Sequence, residues 1–430
     1  MSLVQIAIPE HVQDRSTMSA RERLGAALVA LAAMLLLVGA GGAFSDHAVL
    51  YMLGTFGLGT VGGVIAVTDG LRQPLSGIRN TGIMTSSVKR RGTLAWMYGV
   101  AFTAFYVVLY WYPQALGNMV ASVEPLSQTL RGIPADRWFL YGTLYTAAVL
   151  VMGVRMIVRY RHSRYQILRT LSVMFFQCIA AWIVPAILVN IGSKEFYFHY
   201  FWPLKYDYLF PSSFTSMLAS PDKLIVFMAF WSVCMTVVAT PVLTYFYGKR
   251  WYCSWVCGCG ALAETLGDPW RQNSDKSLRA WRIERWMVHG VLVAIVLVTA
   301  LLWLNSWYGG SVLGTWSKAA ADWYGFYIGA LFSGVIGVGF YPILGSRVWC
   351  RFGCPMAAVL GLLQKYMSRF RITVNGGQCI SCGNCSTYCE MGIDVRAYAQ
   401  RGQDVKRASC VGCGICAEVC PRGVLRLENR

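Results

Sequence analysis

Eight cysteines close to the C-terminus fall into two runs of one spacing, Cys379-x2-Cys382-x2-Cys385-x3-Cys389 and Cys410-x2-Cys413-x2-Cys416-x3-Cys420, the second followed by Pro421. Three thiolates on a tight loop can clasp three irons of a single cubane, and the fourth, on the following turn, reaches the neighbouring cube. The spacing therefore predicts two 4Fe-4S clusters. Cluster one takes Cys379, Cys382, Cys385 and Cys420; cluster two takes Cys410, Cys413, Cys416 and Cys389. A zinc ribbon is the structural alternative, but eight cysteines in this order do not follow its paired spacing. Gly383, Gly412 and Gly414 let backbone amides approach the sulfurs and stabilise the charge of a reduced cluster. Cys389 is followed by Glu390 rather than proline. That carboxylate should make one cube harder to reduce, while Lys406 and Arg407 push the other way.

A second constellation lies upstream. Cys253-x3-Cys257, in the run from Tyr252, and Cys350-x3-Cys354, in the run from Trp349, each follow an apolar stretch. Gly258-Cys259-Gly260 follows the first and Pro355-Met356-Ala357 the second, so each reads as a turn opening a short interfacial helix. Together they form a weak repeat of two-helix units. The four thiols resemble no common zinc signature. They are structural thiols in turns, or else a third metal site or redox-active thiol pair, with Cys259 as an extra ligand. Lys249, Arg250, Arg347 and Arg351 beside them should lower the thiol pKa values. An amphipathic helix from Leu360 to Arg371 is expected to tether the cluster-bearing tail close by.

The elements that carry these cysteines are apolar. Of 430 residues, 56% are hydrophobic and 13% charged, too few charges for an ordinary soluble domain. Stretches of about 20 apolar residues mark spanning helices, here over 24–44, 49–67, 94–112, 139–158, 171–191, 224–246, 286–305 and 325–345. The first is long and ends in a poor cleavage site, so it reads as a retained anchor. The formal charge of +18 is explained by its position. Segments 1–23, 68–93, 155–170, 247–285 and 346–430 hold 32 of the 38 Lys and Arg residues, and the opposite loops hold six. This is the positive-inside rule. It places both termini in the cytoplasm of a bacterial inner-membrane protein whose partner is lipid, and no nucleic acid is implied. Of the 15 cysteines, all but Cys178 and Cys234 fall in loops on the reducing side, which favours metal ligation over disulfides. Those two lie within spans, as small hydrophobes.

Other segments are less specific. Phe196 to Trp202 and Tyr206 to Tyr208 crowd aromatics into the outer loop 192–223, as an interfacial belt or re-entrant turn, or as a quinone pocket or docking surface. Loop 68–93 reads as a solvated basic loop. His11, His47, His162, His199 and His289 offer no clear pair for a haem, His162 and His289 being the one conceivable inner pair. Scarce ionisable residues within the spans provide no proton relay. No nucleophile, paired catalytic carboxylates or nucleotide loop stands out, so no catalytic residue is assigned.

Four helices, a Cys-x3-Cys after the second and fourth of them, and a double-cluster tail resemble the NapH/NosR type of membrane polyferredoxin over roughly residues 165–430. Only Cys354 is followed by the proline usual in that family; Cys257 is followed by Gly258, so its turn should differ. With the eight apolar stretches, of which the first four lie outside the resemblance, the expected fold is an all-α transmembrane bundle of about eight helices with a C-terminal α+β two-cluster ferredoxin domain. It divides the chain into an unassigned four-helix region (1–165), a membrane module with the two Cys-x3-Cys motifs (166–372) and a cytoplasmic ferredoxin domain (373–430). The resemblance implies electron transfer between a quinone or cytoplasmic donor and a redox partner subunit. A membrane metal reductase linked to iron or copper, or a redox-sensing activator of a respiratory enzyme, are the alternatives. No Ser/Thr-Gly-Ala-Thr attachment sequence is present, so covalent FMN is not expected. Because a core about 30 Å thick is too wide for one tunnelling step, a quinone, non-covalent flavin, haem or partner cofactor must fill the gap.

Overall fold

The computed structural model describes residues 19–44, 46–69, 91–314 and 316–430; the basic loop and His11 lie outside these. Eight helices overlap the eight expected spans. They are α1 (Ala20–Ala40), α2 (Ala48–Thr68), α3 (Thr93–Trp111), α4 (Arg137–Arg159), α5 (Arg164–Asn190), α6 (Lys223–Tyr247), α7 (Leu278–Trp307) and α8 (Trp316–Ile336). Among the described residues, six of these, α1, α2 and α4 to α7, are long and apolar enough to cross a membrane. The apolar part of α3, Ala95–Trp111, is shorter. The chain is therefore a multi-pass membrane protein.

Local chemistry sets the helix ends. Ser19 and Glu22 close a reciprocal capping box at α1 (3.0 and 2.8 Å), and Asp136 and Ser277 accept from Phe139 N and Ala280 N at the starts of α4 and α7; such oxygens satisfy amides that have no helical partner. In α5 and α6 wide π-helical turns, Phe176–Ile183 and Met235–Ala239, precede Pro185 and Pro241. Proline lacks an N–H and its ring crowds the preceding turn, which the wider turn relieves. α1 lies against α2 through small residues: a Cβ on Gly25 would stand 2.5 Å from the Gly62 carbonyl oxygen. Close backbone approach of this kind holds helices together where hydrophobicity alone gives no preference.

The helix after Cys354, α9, runs Pro355–Tyr366 rather than Leu360 to Arg371. Pro355 is pre-set for a first helical turn, and residues 370–374 are already strand. β1 (Phe370–Val374) pairs antiparallel with β2 (Leu425–Asn429), Phe370 opposite Asn429. This two-stranded ribbon joins the ends of the tail. The bundle with its small α+β tail is the fold class expected from the sequence.

The loop from α5 to α6 does not stay at the bundle surface. Trp202 O accepts from Thr236 Oγ1 (3.4 Å), and Trp202 Nε1 donates to Thr299 Oγ1 (3.1 Å). Thr236 is about 13 residues, roughly 20 Å, along α6 from its far end. The aromatic run is thus a re-entrant segment, and Phe201 at its tip is fully buried. Non-helical backbone at such depth is tolerated only where protein surrounds it.

Candidate iron-sulfur centres and the buried thiol quartet

The tail brings together the cysteines that the spacing groups. Cys379, Cys382, Cys385 and Cys420 line one small cavity, and Cys389, Cys410, Cys413 and Cys416 line another. Each set draws its fourth thiol from the other run. Among the described residues no three Cys, His, Asp or Glu groups converge on a point where a single ion could sit. A zinc site needs all its sulfurs about 2.3 Å from one point, whereas a cubane carries each thiolate on its own corner iron. Gly383 and Gly414 open the two short helices with the same backbone, φ 79° and ψ −4°, which a side chain would strain. Ile393 N and Val424 N donate to Cys389 Sγ and Cys420 Sγ, both at 3.4 Å. Burial pushes the free thiols of Cys410 and Cys413 up, to about 11 and about 12, so loading metal must release protons.

The second loop is held against the bundle. Gln166 Nε2 donates to Cys413 O (2.9 Å), Tyr165 OH to Gly412 O (2.9 Å) and Ser254 Oγ to Val411 O (2.8 Å). Gln364 Nε2 in α9 donates to Cys410 O (2.8 Å). Beneath this contact lies a buried ion-pair network that the sequence did not reveal. Asp268 pairs with Arg155 (2.7 Å), Arg159 and Arg271 (3.2 Å); Glu390 with Arg271 (2.8 Å) and Arg347 (3.2 Å); Glu264 with Arg169 and Arg347. Five guanidiniums meet three carboxylates. Burial opposes ionisation of Asp268 and Glu390, but the adjoining guanidiniums prevail and hold both carboxyls below the usual range. The surplus of positive charge faces sulfur: Arg271 Nη1 lies 3.8 Å from Cys413 Sγ, and Arg347 Nη1 lies 3.6 Å from Cys350 Sγ. Glu390 therefore does not act as the lone carboxylate that was expected to hinder reduction. Its charge is cancelled between Arg271 and Arg347.

Cys253, Cys257, Cys350 and Cys354 are all buried in one core cluster with Tyr252, Trp349 and Phe201 of the re-entrant loop. The same cluster includes Cys385, Cys410 and Cys416, so the quartet sits where the bundle meets the tail. The motif around Cys257 climbs into the bundle: Glu264 meets Arg169, whereas the Gly258 carbonyl accepts from Tyr145 OH (2.7 Å) in the middle of α4. A Cβ on Gly258 would stand 2.4 Å from Tyr200 Oη and 2.8 Å from Gln177 Oε1. Glycine, and not the usual proline, stands here because two side chains already fill the space. Nor do the nearby cations lower these thiols uniformly. Burial pushes Cys253 up to about 12 and raises Cys350 and Cys354; only Cys257 falls, to about 7, through a hydrogen bond from Cys259.

Cys259 opens on a cavity of about 340 Å³. Tyr141, Tyr145, Gln177 and Tyr200 line its depth, Trp182 and Pro185 its middle, and Arg131, Asp136 and Glu195 its mouth on the side away from the tail. Gln177 Nε2 donates to Thr146 Oγ1 (3.1 Å), and its Oε1 has no partner.

Comparison with known proteins agrees with this arrangement. The family described as a 4Fe-4S dicluster domain matches residues 378–425, and the family described as a 4Fe-4S binding domain matches twice, over 227–277 and 327–374. Each of the latter matches carries one Cys-x3-Cys. The putative electron transport protein YccM of Escherichia coli (strain K12) is 28% identical over 157 residues, 34% of this chain and 43% of that protein. The ferredoxin-type protein NapH of Haemophilus influenzae is 22% identical over 159 residues, 36% of this chain and 53% of that protein. Through these domains the chain is similar to NapH-type membrane polyferredoxins. The methylamine utilization ferredoxin-type protein MauN of Methylobacillus flagellatus is 29% identical over 164 residues, again 36% of this chain and 53% of that relative. The alignments thus span about half the length of each relative. No solved structure matches the chain. The matched domains make it an iron-sulfur protein, with a tail for two 4Fe-4S clusters.

Proposed function

We propose that the chain carries electrons between the two tail clusters and a quinone held in the bundle, by way of the buried thiol quartet. The observation that carries this reading is the position of Cys259, between the quartet and the floor of the 340 Å³ cavity. Bound 4Fe-4S clusters supply one-electron transfer. Cys379, Cys382, Cys385 and Cys420 hold the first, and Cys389, Cys410, Cys413 and Cys416 the second. Cys253, Cys257, Cys350 and Cys354 hold a third iron-sulfur centre. This fits the description of the family that matches both motifs, and it fits thiols that share one buried cluster without meeting at a single-ion point.

Depth supports the route. Gln177 is about six residues, roughly 9 Å, into the 171–191 span of α5, so the Cys257 motif that touches it reaches about a third of the way into a core about 30 Å thick. The tyrosine-lined cavity covers the remainder. Its apolar walls and few polar groups suit a quinone ring, with the free Gln177 Oε1 accepting from a quinol hydroxyl. Asp136 and Glu195 stand at the mouth of the cavity. The division of basic residues supports cytoplasmic termini in a bacterial inner membrane, with the three regions bounded near residues 165 and 372.

Anaerobic proteoliposomes given ubiquinol or menaquinol are expected to show the reduced-cluster electron paramagnetic resonance signal. Gly142→Trp, which fills the cavity beside Trp182, should slow that reduction and leave the dithionite-reduced spectrum unchanged. Unaltered rates in a variant with all four quartet cysteines changed to serine would place the electron route elsewhere.

A further inference from the structure

A second cavity, of about 560 Å³, opens on the tail side between the start of α7, α9 and the tail. Six cations line it: Lys249, Arg285, Arg351, Lys365, Lys406 and Arg407. Glu284 is the one carboxylate among its lining residues, and Arg351 already occupies it (2.8 Å). At the floor Lys249 is 2% exposed, and its Nζ reaches only the Ala408 carbonyl (3.3 Å), with no carboxylate among the described residues. Arg351 is 3% exposed, and its Nη2 has no partner. The thiols of Cys253, Cys350 and Cys410 answer part of the Lys249 charge, but none of them faces the cations at the rim. Burying cations without an anion is costly, so the cavity is built for a negative guest.

The rim says where the guest comes from. α7 enters the bundle here, and Leu278 and Trp286 on its first turns are 70% and 83% exposed, as is Tyr366 of α9 at 68%. Apolar and aromatic side chains at the end of a spanning helix stand at headgroup depth. Ala357, Ala358 and Gly361 leave one wall of the cavity shallow enough for a glycerol or acyl stem. Basic pockets between membrane helices on this side take phosphate headgroups. We infer that this cavity binds a phosphate-bearing anion, seated between the rim cations and the Lys249–Arg351 floor, and that the source is an anionic phospholipid of the adjoining leaflet. The site is independent of the quinone reading, since it requires no electron transfer. Its consequence is that a lipid phosphate stands beside Cys350 and the loop of Cys410.

The test is made on the full chain in nanodiscs of phosphatidylcholine with or without phosphatidylglycerol or cardiolipin. Thermal stability and retained lipid phosphorus are read, beside detergent-solubilised protein titrated with inorganic phosphate. Anionic lipid should raise the midpoint and co-purify. Arg285→Gln, Lys365→Gln and Lys406→Gln together, all on exposed positions, should weaken lipid retention by about 100-fold, at about a factor of five per cation. Lys365→Arg with Lys406→Arg should retain it. Equal stabilisation by inorganic phosphate in detergent would keep the phosphate site and transfer the source to solution. No stabilisation by either, or a triple variant that keeps its lipid but loses an acidic protein partner, overturns the proposal.

Discussion

The two cluster loops of the tail share a backbone and differ in almost everything around it. Gly383 and Gly414 have the same φ and ψ, yet Cys382 is exposed and Ile380 is 58% exposed, whereas Cys410 and Cys416 are buried. The first loop faces outward. The second is bonded to Tyr165, Gln166, Ser254 and Gln364, and Arg271 points at its sulfur. A near-twofold motif is polarised by the surface it sits on: one side is left exposed, and the other is set against the helix bundle.

The largest effect expected from this asymmetry separates the two ligand sets. Cys382→Ala should remove or convert one cube, shown as loss of about half of the tail iron, with the tail still protected from proteolysis. Cys413→Ala should lose a similar share of iron and also free the tail for cleavage, because that loop makes the docking bonds. Equal protease sensitivity in the two variants would dissolve the comparison.

Next in size is the ion-pair network beneath the second loop. Glu390→Ala leaves Arg271 and Arg347 buried without their shared carboxylate, a loss of about 3–5 kcal/mol for a broken buried pair. Denaturant-dependent release of the tail should move to lower concentration accordingly. The same change at half-buried Glu428, whose partner Arg430 is exposed, should move it by less than about 1 kcal/mol.

The smallest expected effect concerns potential. Arg271→Gln withdraws a positive charge from beside Cys413, so the reduced form of cluster two loses stabilisation. Its midpoint should fall by roughly 60 mV, a tenfold change in a one-electron equilibrium. A redox titration followed by paramagnetic resonance should show cluster one unmoved. A shift shared by both clusters would mean that the charge acts through the whole tail rather than through one sulfur.

Much of this molecule was determined by its sequence alone, because the information is local. Three cysteines within one short loop have no other way to reach one cube, so the pattern at 379–389 and 410–420 carries its ligand sets without reference to the rest of the chain. Runs of apolar residues likewise declare the spans, since a helix in lipid must satisfy its own backbone. Tertiary structure decided what surrounds those ligands. Nothing near Glu390 in sequence announces Arg271 or Arg347, and a proline-free turn with an extra carboxylate read locally as a hindrance to reduction. The aromatic run at 196–208 has the composition of an interfacial belt, and only its packing against Thr236, Thr299 and Tyr252 draws it into the bundle. Gly258 departs from a family pattern for a reason held in Tyr200 and Gln177, far away along the chain. Ion pairs and close approaches between distant segments leave no periodic trace, because the energy that selects them depends on burial, and burial is a property of the assembled fold.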